Sequence, residues 1–254
     1  MSELFSVKDK VVLITGSSRG LGASFAAGFA AHGAKVIING TNQVTVEQSV
    51  QEIKAKGGQA AGYAFDTSNS QQVILQIAAI EAENGPIDIL INNAGIQRRA
   101  PLEEMSENDW RKVIDVNLNA AFIVSKYVAQ GMIARRQGKI INITSLMAEG
   151  ARTSTGNYAA AKGGLKMLTK AMATEWGKFN IQVNAIGPGY FRTELTENLA
   201  ADPQFDTWVK QRVPSGRWGE PSELVGAAIF LASKASDYIN GHTIYVDGGW
   251  LATL

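Results

Sequence analysis

The sequence predicts a single α/β domain: a parallel sheet covered by helices on both faces. Three observations carry that expectation. Short, continuous apolar runs alternate with longer stretches of helical periodicity along the 254 residues. No proline- or serine-rich linker, repeat or low-complexity tract divides the chain. The first apolar run passes directly into a glycine-rich turn that opens a helix.

Taken in order, VVLIT (11–15) reads as a buried strand, and GASFAAGFAAHG is the helix that follows, stopping at Gly33. KVIIN (35–39) is the second strand, and TVEQSVQEIKAKGG an amphipathic helix with a glycine stop. QAAGYAF, followed by Asp66, is the third strand, and SQQVILQIAAIEAENG the third helix. IDILIN, KIINIT, IQVNAI and HTIYVD supply four more strands separated by helical stretches. The region from Tyr190 to Glu220 breaks the rhythm, being charged, aromatic and less regular. It reads as an insertion over one edge, which in such a fold serves as a substrate lid at about 190–220.

Composition narrows the function. Hydrophobic residues make up 45% and charged residues 19%, the balance of a folded chain with a sizeable core. Twenty-four basic against twenty-three acidic residues leave a net charge of +1, so nothing drives the chain toward nucleic acid or membrane. Without cysteine, disulfides, thiol catalysis and cysteine-ligated metals are excluded. His32 and His242 are the only histidines and lie far apart without an acidic cluster, so no metal site is expected. MSELFSVKDK lacks the basic start and apolar run of a signal peptide, and no apolar stretch approaches the ~20 residues of a membrane span. The expectation is a soluble, cytoplasmic protein.

Two local patterns carry chemistry. In TGSSRGLG (15–22), Gly16, Gly20 and Gly22 open the first helix; with Ser18 and Leu21 they would let backbone N–H groups approach a pyrophosphate at the positive end of the helix. In GNYAAAKGG (156–164), Tyr158 and Lys162 stand four residues apart in an alanine-rich helical stretch and therefore share one face. On a surface such a pair would be two solvated side chains. Beside a nucleotide site, the ammonium would lower the phenol's pKa from ~10 toward neutrality and make Tyr158 a usable proton donor and acceptor.

With TGxxxGxG, then NNAG (92–95) after the fourth strand, then YxxxK, the chain resembles the short-chain dehydrogenase/reductase family over essentially its whole length. The resemblance implies a Rossmann-type, doubly wound domain with a seven-stranded parallel sheet ordered 3-2-1-4-5-6-7, spanning residues 1–254, and a homotetramer. NGHTIYVDGGW (240–250) would bury the last strand in a subunit interface. The resemblance further implies a catalytic set of Asn117, Ser145, Tyr158 and Lys162. Ser145 would hydrogen-bond the substrate carbonyl, and Tyr158 would exchange the proton. Lys162 would hold the ribose hydroxyls, and Asn117 would fix a water that relays the proton. Asn93, Ala94 and Gly95 would flank the adenosine, Asp66 and Thr67 the adenine, and Pro188, Gly189 and Thr193 the nicotinamide amide.

An NAD-selective site of this kind carries an acid about 20 residues beyond the glycine turn. Here KVIINGTNQ occupies that place, and no Asp or Glu occurs from Leu21 through Val46. Arg19, Asn39 and Thr41 would instead lie near a 2′-phosphate, so NADP(H) is expected, with NAD(H) as the alternative. NNAGIQRRAPLEE and GPGYFRTELT resemble the sugar-acid dehydrogenases of the family. A sugar acid carries a carboxylate, which a guanidinium grips with two parallel, charge-assisted hydrogen bonds. Arg98 or Arg99 would hold it, with Arg152 and Arg192 on neighbouring loops, around Ser145 and Tyr158. The alternatives are a reductase of another carbonyl, such as a deoxy-keto-gluconate or a 3-oxoacyl thioester, and a catalytically silent nucleotide-binding sensor.

Overall fold

Seven short strands form one parallel sheet in the order 3-2-1-4-5-6-7. The computed structural model describes residues 3–253; Met1 and Ser2 of the opening stretch, and Leu254, lie outside the described residues. The strands are β1 (Val11–Ile14), β2 (Lys35–Gly40), β3 (Gln59–Ala64), β4 (Ile89–Asn92), β5 (Gly138–Ile143), β6 (Ile181–Pro188) and β7 (Thr243–Val246). Register is continuous across the middle of the sheet, where Leu13 pairs with both Ile37 and Leu90, and Ile140 with both Leu90 and Val183.

The apolar runs are continuous because both faces of the sheet are covered, and alternate residues feed different cores. Val12 and Ile14 of β1 join Phe25 and Phe29 of α1 (Gly20–Ala31), Val46 and Val50 of α2 (Gln43–Ala55), and Ala228 of α9 (Val225–Ala232). Val11 and Leu13 face the opposite way. They pack with Val73 and Ile77 of α3 (Ser70–Asn84), Val124 and Val128 of α5 (Ala120–Arg135), and Met172 of α6 (Gly156–Trp176). Asn42 and Asn69 cap α2 and α3 by accepting from the first-turn amides, which sets where those helices begin.

Between β4 and α5 the chain forms α4 (Glu107–Ile114) and then a π-helical turn at Asp115–Asn119. The irregular region foreseen at 190–220 contains two helices, α7 (Glu197–Ala200) and α8 (Pro203–Arg212). Val209, Val213 and Trp218 are buried there in a third, separate cluster, packed with Tyr190, Phe205 and Trp250. Sequence order reverses between β1 and β4, which opens a crevice at the carboxyl ends of those strands, and the candidate residues converge on it.

Candidate active site

The turn after β1 is bound tightly to the one after β4. Thr15 N donates to Ile91 O at 3.0 Å, while Thr15 Oγ1 accepts from Asn93 N at 3.0 Å and Ala94 N at 3.1 Å. Asn93 Nδ2 returns bonds to Thr15 O and Gly16 O. Gly16 has φ +61°, and a Cβ there would stand 2.9 Å from Ala94 Cα. A Cβ on Gly22 would meet Gly16 O at 2.3 Å, so only glycine admits the contact between turn and helix. The first turn of α1 has neither a side-chain cap nor an acidic residue. Its orphan N–H groups therefore suit a pyrophosphate, and the cradle fits the phosphates of a dinucleotide.

Asn39 occupies a different place from the one its sequence position suggested. It is buried, and its amide is committed to backbone: Oδ1 accepts from Gly16 N at 3.1 Å, while Nδ2 donates to Tyr63 O and Phe65 O. It props the glycine turn on β3 instead of presenting a free donor outward. Thr41 and Arg19 are exposed at the same edge, and Arg19 lies 3.6 Å from Glu194 in a solvent-exposed ion pair. Ser18 and Leu21 are half-buried beside the turn. Burial by itself would raise the Asp66 carboxyl, but bonds from the Ser68 hydroxyl and amide, with the charge of Lys112, hold it below its ordinary value. Thr67 is buried next to it. Gly95 faces the Asn117 amide, 3.4 Å from where its Cβ would be. Pro188 ends β6, Gly189 packs against Asp247, and Thr193 exchanges bonds with Thr196.

Ser145, Tyr158 and Lys162 meet where β5 and α6 come together. Ser145 lies two residues past the strand's end, and its hydroxyl reaches Tyr158. Lys162 is buried on α6 and donates from Nζ to Ile143 O at 2.7 Å, with Nζ 5.6 Å from the Tyr158 ring centre. Burial alone lowers the Lys162 pKa from 10.5 to about 8. For Tyr158 the structure departs from the sequence expectation. Burial dominates and raises the phenol's pKa, opposed by the Ser145 hydrogen bond and then by the charge of Arg99. The downward pull comes first from the Ser145 bond and then from that arginine, while Lys162 points its ammonium at a strand carbonyl. Asn117 lies buried in the π-helical turn and pairs both ways with Ile96, at 2.8 Å to its N–H and 2.9 Å to its carbonyl.

The four candidate arginines separate. Arg98 pairs with Asp109 at 2.8 Å and is exposed. Arg192 is also exposed, and its charge acts on Asp206 in α8. Arg99 is exposed as well, yet lies close enough to influence Tyr158; partial burial of its guanidinium lowers its pKa, followed by the charge of Arg152. Arg152 Nη1 donates to Tyr190 Oη at 2.9 Å, and Arg99 Nη2 to Gln97 Oε1 at 3.0 Å. Among the described residues, neither has a carboxylate partner. Arg99 therefore stands near the tyrosine, with a second guanidinium of like charge, Arg152, acting on it.

Sequence reasoning missed two supports. Asn157 is buried and ties the arginine loop to α6, donating to Arg98 O at 3.0 Å while accepting from Tyr158 N at 2.7 Å. Asn142 lies under the site between Asn92 Nδ2 and Thr169 Oγ1, at 2.8 and 2.9 Å. Asparagines inside apolar strand runs are the signal that could have found Asn92 and Asn142, since a buried amide needs partners.

Known proteins resemble the chain over nearly its whole length. The family model described as enoyl-(acyl carrier protein) reductase matches residues 16–251. A 2-dehydro-3-deoxy-D-gluconate 5-dehydrogenase from Formosa agariphila is 52% identical, over 99% of this chain and 96% of its own. A gluconate 5-dehydrogenase from Gluconobacter oxydans is 49% identical, over 99% and 98%. The crystal structure of a gluconate 5-dehydrogenase from Burkholderia cenocepacia, in complex with NADP and tartrate, superposes with a TM-score of 0.97 at 46% identity, covering 99% of both chains.

Proposed function

The chain belongs to the short-chain dehydrogenase/reductase family, and from that premise we propose an NADP(H)-dependent oxidoreductase that interconverts D-gluconate and 5-keto-D-gluconate. The observation that carries the reading is the Ser145–Tyr158 pair with Arg99 near the tyrosine and Arg152 near Arg99, two guanidiniums that have no carboxylate partner among the described residues. A sugar acid brings the anion they lack and a carbonyl or alcohol for the tyrosine.

The nicotinamide supplies or accepts a hydride at carbon 5. Gly16, Gly20 and Gly22 would hold the pyrophosphate at the start of α1, and Arg19 and Thr41 the 2′-phosphate; β2 ends in glycine, with no acid to favour NAD(H). In reduction, Ser145 Oγ holds the substrate's carbonyl oxygen while Tyr158 Oη gives it a proton. In oxidation the same phenol oxygen takes the proton back. Lys162 grips the ribose hydroxyls, and a water at Asn117 connects it to solvent. Residues 190–220 act as the substrate lid, and the chain assembles as a homotetramer through its exposed edge strand β7, a reading supported by the half-buried state of that strand's four residues.

A second reading has a specific observation in its favour. The Formosa agariphila relative is named for 2-dehydro-3-deoxy-D-gluconate, which has the same carboxylate and the same reacting carbon 5. Both substrates should therefore be offered with the cofactor while nicotinamide absorbance is followed. Losing a charged partner in a partly closed site costs about 2–4 kcal/mol, roughly 30- to 1,000-fold in kcat/KM. Arg99→Ala and Arg152→Ala should each lose that much on the keto acid and far less on its uncharged C1 amide, whereas Arg98→Ala should affect neither strongly. No turnover of 5-keto-D-gluconate sinks the gluconate assignment; equal loss on acid and amide sinks the arginine assignment.

A further inference from the structure

Arg152 is held by aromatic faces. Its guanidinium carbon lies 4.5 Å from the ring centre of Phe205 and 5.8 Å from that of Trp208, both on α8. Its Nη1 donates to Tyr190 Oη. Tyr190 is in turn surrounded, with ring centres 5.7 Å from Phe205, 6.0 Å from Trp208, 5.5 Å from Trp218 and 5.0 Å from Trp250. Trp218 Nε1 donates to Asp206 Oδ1 at 2.9 Å, which anchors the helix carrying two of these rings.

We propose that Phe205 and Trp208 are positioning residues that hold Arg152 in place for the substrate carboxylate, so that selectivity for an acid over its neutral analogue is set by α8. The inference rests on the carboxylate reading above. Its physical basis is that a π-face orients a guanidinium without neutralising it, whereas a carboxylate in the same place would cancel the charge the substrate needs. Orientation matters because the charge of Arg152 acts on that of Arg99, and two like charges repel until an anion arrives between them. Without the rings, Arg152 would relax away from Arg99 into solvent and leave the anion a single grip. The cluster has its own small core of Val209, Val213 and Trp218, separate from the two sheet cores, so the rings and the helix form one packed unit.

The test compares kcat/KM for 5-keto-D-gluconate and for its C1 amide in the full-length protein. Phe205→Leu and Trp208→Leu keep apolar bulk and remove the ring. Each should lower the acid-to-amide ratio by roughly 3- to 30-fold, the range of a cation–π contact as it becomes desolvated. Phe205→Tyr and Trp208→Phe keep a ring and should restore most of the ratio, which a merely structural role would not do. Trp208 is 39% exposed, so its variants keep the test available should Phe205→Leu not fold. An unchanged ratio in the leucine variants, or ring-retaining variants no better than leucine, overturns the proposal. Arg152→Ala separates the two layers. If it abolishes acid selectivity while the leucine variants keep it, only the positioning role falls. If it leaves selectivity intact, the carboxylate reading of Arg152 falls as well.

Discussion

Replacing Lys162 with methionine should remove a pH dependence of stability that the wild type has. The lysine is only 3% exposed, and burial brings its pKa from 10.5 down to about 8. Between those values the unfolded chain binds the proton and the folded chain does not, so wild-type stability rises with pH across that window. The penalty for charging the buried amine is complete below pH 8, about 3 kcal/mol at pH 7; it falls to about 2 at pH 9 and below 1 at pH 10. Methionine carries no such penalty at any pH, although it forfeits the Nζ bond to Ile143 O, a loss whose effect must be read separately. The stability of Lys162→Met relative to wild type should therefore fall by about 2 to 3 kcal/mol between pH 7 and pH 10. Urea unfolding of both proteins at fixed concentration, at each pH, measures that difference. With no cysteine in the chain, alkaline pH introduces no thiol chemistry. Parallel stability curves, within about 0.5 kcal/mol, would refute a depressed lysine.

Two further expectations concern the cofactor edge. Arg19→Ala should lower the ratio of kcat/KM for NADPH over NADH by roughly tenfold or more, since a charge-assisted contact to a 2′-phosphate has no counterpart in NADH; an unchanged ratio removes Arg19 from that role. Asn39→Leu leaves Gly16 N, Tyr63 O and Phe65 O without the partner they share and should cost about 2–4 kcal/mol of stability, with weaker cofactor binding; a loss under about 1 kcal/mol contradicts the structural role.

The inner strands and their order in the chain were legible because each is buried on both faces, a condition that produces a continuous apolar run, whereas the edge strands β3 and β7 are largely half-buried. Strand ends moved by a residue or two: KIINIT became Gly138–Ile143, and IQVNAI lengthened to Ile181–Pro188. The region 190–220 looked irregular because its aromatic residues serve a separate cluster, which imposes no sheet or helix period. The π-helical turn at Asn117 left no mark in periodicity, since it rests on pairing with Ile96 from another loop. Arg98 and Arg99 are neighbours in sequence and were indistinguishable there. Only the folded chain gives one of them Asp109 and brings the other to Tyr158.

What the sequence by itself determined is local. Glycine spacing at 16, 20 and 22 needs only the turn and helix it builds, and the Tyr158–Lys162 spacing needs only 3.6 residues per turn. What the tertiary structure decided is each group's charge environment and which side chains share it. The sequence reading made Lys162 the cation that acidifies the phenol. The fold instead buries the lysine and half-buries the tyrosine, raises the tyrosine, lowers the lysine and supplies Arg99 as the opposing charge. Likewise Arg152 meets Tyr190 across 38 residues and meets the rings of Phe205 and Trp208 only once α8 has packed. Desolvation and Coulomb interaction depend on distance through space and on exclusion of water, and neither is set until distant segments have come together.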